Sequence, residues 1–151
     1  IQETIFKKCP DTYMITIMRR MMYRIAEKYS EKIGAKIIVN GESIGQVASQ
    51  TLSSMTCINN VTNMPVIRPV ACFDKLEIIN LSQKIGTYET SILPFEDCCT
   101  IFVPKHPVIN PKLSKCLAYE KEFDYETLID KCIDNIETIT NFETNKFEDI
   151  L

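Results

Sequence analysis

The stretch Ile37-Ile38-Val39-Asn40-Gly41-Glu42-Ser43-Ile44-Gly45-Gln46-Val47-Ala48-Ser49-Gln50-Thr51 decides how the fold is interpreted. An apolar run ends at Asn40-Gly41 and is followed by small and polar residues, then by a pattern compatible with a helix. This order predicts a buried parallel strand whose carboxyl end opens into a ligand crevice. Gly41 and Gly45 would let a ligand approach the backbone, where the N–H groups of the next helix also point. Without a ligand, the same pattern describes an ordinary strand-turn-helix unit.

Helical and strand patterns alternate along the rest of the chain, which predicts an α/β fold. Residues 1–10 show no amphipathic pattern. Apolar residues at helical spacing predict a long helix that Asp11 caps and Gly34 ends, with its Met stripe in the core. The other expected elements are strands at Ala35–Asn40 and Pro65–Ala71, a short helix at 47–55, a helix at Lys75–Ile85 begun by an Asp74/Glu77 capping box, a long loop at Glu89–Pro111, a helix capped by Asp124 and a polar tail at Asn141–Leu151.

The composition of the chain argues against several kinds of binding site. The 151 residues carry a formal charge of -3, which argues against RNA binding by bulk positive charge. The seven cysteines show no CxxC spacing, and with one histidine this makes a zinc site improbable. No secretory signal and no apolar run of about 18 residues is present, so we expect a cytoplasmic protein with free thiols and no membrane partner.

Collinear segments across residues 1–115 resemble the tRNA 4-thiouridine synthetases, the ThiI family. These segments are Gly41-Glu42-Ser43-Ile44-Gly45-Gln46-Val47-Ala48-Ser49-Gln50-Thr51-Leu52, Pro65-Val66-Ile67-Arg68-Pro69, Lys84-Ile85-Gly86-Thr87-Tyr88-Glu89, Ile92-Leu93-Pro94-Phe95-Glu96-Asp97-Cys98-Cys99 and Val103-Pro104-Lys105-His106-Pro107. The resemblance implies an ATP-dependent sulfurtransferase that adenylates a tRNA uridine, transfers persulfide sulfur to form 4-thiouridine and serves thiamine thiazole synthesis. It implies the fold of the adenine nucleotide alpha hydrolases: a doubly wound parallel sheet, partial here, with a C-terminal helical extension.

Four site residues follow from this resemblance. Cys98, in a Glu96-x-Cys98 context, matches the catalytic cysteine of the family. Arg19, Gly41 and Gln50 match its ATP contacts, with Mg²⁺ expected alongside the triphosphate. The residues alone leave other interpretations open, because Cys98 and Cys99 could be an incidental pair, with Cys99 the rival nucleophile. Arg19 could simply be a solvated or carboxylate-paired arginine.

The sequence also departs from the family pattern. It holds no Ser-Gly-Gly-x-Asp-Ser pyrophosphate loop and no tRNA-binding THUMP region. We therefore expect residues 1–115 to be the C-terminal part of the ATP-binding domain and residues 116–151 a C-terminal helix and tail. An isolated fragment of this kind would be inactive.

The expected partners are tRNA, through domains missing here, and a cysteine desulfurase as persulfide donor. We expect a homodimer that extends the sheet or covers the face of Met14, Met18 and Met21. Two alternatives remain: a non-catalytic nucleotide-binding or interaction module, and another tRNA thiolase of the ATP-pyrophosphatase superfamily.

Overall fold

The computed structural model describes residues 1–95, 104 and 106–139. Helices dominate this part of the chain, with a small parallel sheet and two 3₁₀ turns. In chain order the elements are α1 (Gln2–Lys8), a 3₁₀ turn (Asp11–Tyr13), α2 (Met14–Ile33), β1 (Ile38–Val39), a 3₁₀ turn (Ala48–Gln50), α3 (Leu52–Asn59), β2 (Val66–Ile67), α4 (Lys75–Lys84), α5 (Tyr88–Ser91), α6 (Leu113–Glu120) and α7 (Tyr125–Asp134).

The long helix α2 forms the centre of the core, as the apolar spacing predicts. Met14, Ile17 and Met21 lie on its buried face. Gly34 ends it in the left-handed conformation, with φ of 74°, which glycine adopts without a Cβ penalty. The prediction that Asp11 caps this helix is wrong: Asp11 begins a separate 3₁₀ turn, and the helix starts at Met14 with no side-chain cap.

Helix α1 covers one part of the α2 face. Its Ile5 is buried in the core with Met14, and Ile5, Met14 and Met18 line a small cavity between the two helices. Two expectations are therefore corrected. Residues 1–10 form a helix although their pattern is weak, and the Met14, Met18 and Met21 face is packed within the chain rather than free for a second copy.

The two predicted strands pair in parallel, with Ile38 opposite Val66 and Val39 opposite Ile67. Both are shorter than predicted, at two residues each. The prediction of a buried strand after Ile37 is also wrong: Val39 of β1 is 58% exposed, and Ile67 opposite it in β2 is 47% exposed. Within the described residues the sheet has only these two strands, so little packs on its outer face.

Local capping signals are confirmed at two helices. Asp74 and Glu77 exchange the reciprocal hydrogen bonds of a capping box at α4. Asp124 accepts a hydrogen bond from the Thr127 backbone N–H at α7. Helix α6 precedes it, with Cys116 and Glu120 buried, and the division of domains after residue 115 stays a prediction.

Helix α6 is joined to α2 by a buried ion cluster. The Glu120 carboxylate accepts hydrogen bonds from Arg20 Nε at 2.6 Å and Nη2 at 3.0 Å, and from Arg24 at 2.8 and 2.9 Å. Arg20 is fully buried and also donates to the Cys57 carbonyl of α3, while Arg24 lies 4.3 Å from the Tyr125 ring centroid. One carboxylate thus connects α2 to the C-terminal helices.

We predict that Glu120→Ala destabilises the protein by about 3–5 kcal/mol, because it leaves the buried Arg20 charge without its partner. Urea titration measures this change in the free energy of unfolding. Glu3→Ala is the control, since the Glu3–Lys7 pair is largely exposed and should contribute less than about 1 kcal/mol. Equal midpoints for the two variants would contradict the assignment.

Acid should weaken the same cluster. Burial alone raises the pKa of Glu120, but the hydrogen bonds from Arg24 and Arg20 outweigh it and hold that pKa below its ordinary value. A carboxyl of this kind contributes stability above its unfolded pKa of about 4.3, and that contribution is lost as the pH falls further. Unfolding free energies measured from pH 7 to pH 3 should therefore decline less steeply below pH 4.3 for Glu120→Gln than for the wild type.

Candidate functional site

The candidate site lies where the two parallel strands end. Asn40 and Glu42 follow β1, and Arg68 directly follows β2. The carboxyl ends of parallel strands are the usual place for ligands in α/β sheets. The position of the sheet, rather than its size, therefore brings these polar residues together.

Hydrogen bonds hold the loop after β1 in a defined shape. The Asn40 side-chain oxygen accepts from the Glu42 backbone N–H at 3.1 Å, which fixes the turn around Gly41. Gly45, with φ of 81°, donates its N–H to the Gln50 carbonyl at 2.8 Å. Ser43 Oγ donates to the Phe73 carbonyl at 2.7 Å and ties the loop to the segment beyond β2.

Glu42 is the buried centre of the site, with 3% of its surface exposed. Its carboxylate accepts hydrogen bonds from Arg19 Nη2, Arg68 Nε at 2.8 Å, Tyr23 OH at 3.1 Å and Asn40 Nδ2 at 2.9 Å. Burial alone raises the pKa of Glu42, but the hydrogen bond from Arg68 and the charges of Arg19 and Arg68 outweigh it and lower that pKa. Glu42 is therefore a carboxylate at neutral pH.

Tyr23 is a fixed donor in this cluster. Burial and the Glu42 charge raise its pKa above the ordinary value, so the hydroxyl stays protonated. It donates to Glu42 and accepts hydrogen bonds from Asn40 at 2.6 Å and Arg68 at 3.0 Å. Arg19 and Tyr23 are four residues apart and share one face of α2.

The three predicted ATP contacts lie at or beside this cluster. Arg19 is paired with a carboxylate, as one interpretation of the sequence allowed, yet its Nε atom is buried with no hydrogen-bond partner among the described residues. Gly41 is exposed, and a Cβ built there meets no atom within 4 Å. Gln50 ends the same loop, and its buried Oε1 also has no partner in the described part of the chain.

Two open clefts adjoin the loop and Arg68. One of about 330 Å³ lies between the loop at Ser43 and the segment after β2 at Cys72 and Phe73. The other, of about 530 Å³, runs along α3 from Leu52 to Asn59 and reaches Arg68. Both are wide enough to admit part of a nucleotide-sized molecule.

Cys98, the predicted catalytic residue, lies outside the described residues, as do Cys99 and Glu96. The buried cysteines of the core are chemically different from an active nucleophile. Burial raises the pKa of both Cys9 and Cys116 to about 11, so these thiols stay protonated and unreactive.

No three His, Cys, Asp or Glu side chains within the described ranges are grouped so as to hold a metal ion. Among the helices of residues 1–95 and 106–139, none has the length and apolar character needed to cross a bilayer.

Sequence reasoning missed Arg68, Tyr23 and Asn40 as members of the site. Arg68 had appeared only inside a segment of family resemblance. Its place directly after β2 matches that of Asn40 after β1, and this shared position was the available signal. Asn59 is a further contact of Arg68, at 2.6 Å from Nη2.

Comparisons with known proteins agree with this architecture. Residues 1–125 match the family described as "Thiamine biosynthesis protein (ThiI)". Probable tRNA sulfurtransferases from Macrococcus caseolyticus and Staphylococcus aureus strain Newman are 51% and 55% identical, over 100% and 92% of this chain. These alignments cover 39% and 34% of the relatives, so the chain spans little more than a third of their length.

A solved structure is also similar. It is a 4-thiouridine synthetase in complex with RNA and with bound ATP. The superposition covers 89% of this chain and 35% of the synthetase chain, with a TM-score of 0.81 and 42% sequence identity. Agreement at this level extends over most of the chain in both sequence and fold. The chain therefore belongs to the ThiI family.

Proposed function

We propose that this chain is part of an ATP-dependent tRNA sulfurtransferase that converts a uridine to 4-thiouridine. The names of its relatives and the ATP and RNA in the similar structure support this assignment. The single observation that carries it is the candidate site itself. Arg19 and Gln50, two residues matched to ATP contacts, each hold a buried polar atom that has no hydrogen-bond partner among residues 1–95, 104 and 106–139.

The chemistry of these atoms fits a nucleotide. Arg19 Nε is a donor, and a phosphate oxygen is a strong acceptor for a guanidinium. Gln50 Oε1 is an acceptor, which a ribose hydroxyl or an adenine amino group would satisfy. Gly41 has no side chain, and the space beside its backbone is open to a ligand, since a Cβ built there meets no atom within 4 Å. Buried polar groups are rarely left unpaired in a functioning protein, so both atoms favour a bound partner.

Each partner has a defined part in the proposed reaction. ATP supplies the activation that makes the C4 oxygen of the uridine a leaving group, and Mg²⁺ would be held mainly by the phosphates. Arg19 binds and orients the phosphates, while Gln50 fixes the nucleoside. Cys98 would then form the covalent sulfur or disulfide intermediate that divides the displacement into easier steps. The buried thiols Cys9 and Cys116 are unsuited to this step.

The wider setting is part of the same proposal. The family description supports a second role in supplying sulfur for thiamine thiazole synthesis. Persulfide sulfur would come from a cysteine desulfurase, tRNA would bind mainly through other domains, and two copies would pair through the sheet edge. The free cysteines of the described residues agree with a reducing, cytoplasmic compartment.

We predict that Cys98→Ser, in a complete protein carrying this sequence, abolishes tRNA thiolation but leaves ATP-dependent activation of the tRNA largely intact. The thiol is needed only after activation, so the two steps should separate. Thiolated tRNA is measured on a mercury-containing gel and AMP release by chromatography. Cys99→Ser is the matched control and should retain most thiolation; wild-type thiolation by Cys98→Ser would exclude Cys98 as the nucleophile.

We further predict that Arg19→Ala raises the apparent KM for ATP roughly 10- to 150-fold, since it removes a charged hydrogen bond worth about 1.5–3 kcal/mol. Gln50→Ala should raise it roughly 2- to 10-fold, since a neutral hydrogen bond is worth about 0.5–1.5 kcal/mol. The charged contact of Arg19 should give the larger effect. Steady-state kinetics with varied ATP measures both. Lys7→Ala is the control, because the Lys7 side chain is 70% exposed on the surface of α1. Unchanged KM values in both site variants would refute the proposed contacts.

A further inference from the structure

The proposed ATP contacts leave Arg68 and Glu42 without a role. Arg68 donates from Nε to Glu42 and from Nη2 to Tyr23 and Asn59, at 2.8, 3.0 and 2.6 Å. Its side chain is 14% exposed, so the guanidinium is held firmly but reaches the surface cleft along α3. An arginine needed only to neutralise Glu42 would duplicate Arg19, which already pairs with the same carboxylate.

The charges of this cluster do not balance. Arg19 and Arg68 together bring two positive charges, whereas Glu42 brings one negative charge. The two guanidiniums donate to different oxygens of one carboxylate, so both are held at Glu42. Among the described residues, one of these positive charges has no acidic partner of its own. The setting is partly buried, where Coulomb attraction for an anion is stronger than in water.

Donor groups remain available for such an anion. Arg19 binds Glu42 through Nη2 alone, and its Nε has no partner within the described residues. Arg68 uses Nε and Nη2 for its hydrogen bonds to described residues, and its side chain also lines the cleft along α3. A phosphate group accepts several N–H bonds at once and matches the planar guanidinium geometry.

We propose that Arg19 and Arg68 form a phosphate-recognition pair and that Glu42 is the positioning residue that holds both guanidiniums for it. The inference rests on the proposed ATP site and deepens it by adding two residues to it. Glu42 acts through the arginines and does not itself touch the nucleotide. Tyr23 and Asn40 donate to the same carboxylate oxygen as Arg68 and help to fix its orientation.

The chain offers a matched control cluster on a neighbouring face of α2. Glu120 is also a buried carboxylate shared by two arginines, Arg20 and Arg24. Glu42→Gln and Glu120→Gln therefore remove the same charge from the same kind of environment. Only the first variant disturbs residues assigned to the nucleotide.

The test measures binding of ATP, AMP and adenosine to a complete protein carrying each variant, by calorimetry and competition. Glu42→Gln should weaken the binding of ATP and AMP at least about tenfold, because phosphate recognition is lost. The affinity for adenosine, which has no phosphate, should be unchanged. Glu120→Gln should change ATP affinity less than about twofold. If positive charge alone attracts the phosphates, Glu42→Gln should bind ATP more tightly, and that sign would overturn the positioning role.

Arg68→Lys is the second variant, for use also where Glu42→Gln does not fold. Lysine keeps the charge but cannot fork to Glu42, Tyr23 and Asn59, so ATP should again bind at least about tenfold more weakly. Wild-type ATP affinity for Arg68→Lys would overturn the inference. Arg19→Ala distinguishes failure of this inference from failure of the proposed ATP site. If Arg19→Ala weakens ATP binding while Glu42→Gln and Arg68→Lys do not, the inference fails and the ATP site stands. If it has no effect, the ATP site fails as well.

Discussion

Buried carboxylates that neutralise the arginines of α2 are the interaction on which the rest of the fold depends. Arg20 has no exposed surface, and a guanidinium in that position is tolerated only because Glu120 and the Cys57 carbonyl occupy its donors. On the adjoining face, Arg19 is met by Glu42. The helix is thus fixed between the loop after β1 on one side and the C-terminal helices on the other.

Local signals were sufficient for part of this arrangement. The apolar spacing of α2, the αL glycine at its end and the caps at Asp74 and Asp124 depend on residues within one or two turns. The 100° step of a helix gives Arg19 and Arg20 different surroundings, and their side chains are 21% and 1% exposed. The predicted strands were too long. Their apolar runs suggest burial, but burial depends on neighbouring elements that a local pattern does not reveal.

The partners of the arginines could not be read from local sequence. Glu42 lies 23 residues from Arg19 and Glu120 lies 100 residues from Arg20, so only the tertiary fold brings them together. A weaker signal existed in the spacing of four between Arg20, Arg24 and Lys28, since Lys28 continues the same stripe to Asp130 of α7. The candidate contacts Arg19, Gly41 and Gln50 came from family resemblance, and the geometry adds Arg68, Tyr23 and Asn40 around them.

The two polar faces of α2, one toward Glu42 and one toward Glu120, also limit how the length of this helix can vary. Arg19 and Tyr23 face Glu42, while Arg20 and Arg24 face Glu120, each pair being one helical turn apart. Inserting or deleting one residue within α2 would rotate everything beyond it by about 100°. The side chains beyond that point would then leave the faces on which they contact Glu42 and Glu120. Length changes in this region should therefore accumulate in the connecting loops, while α2 keeps a constant number of residues.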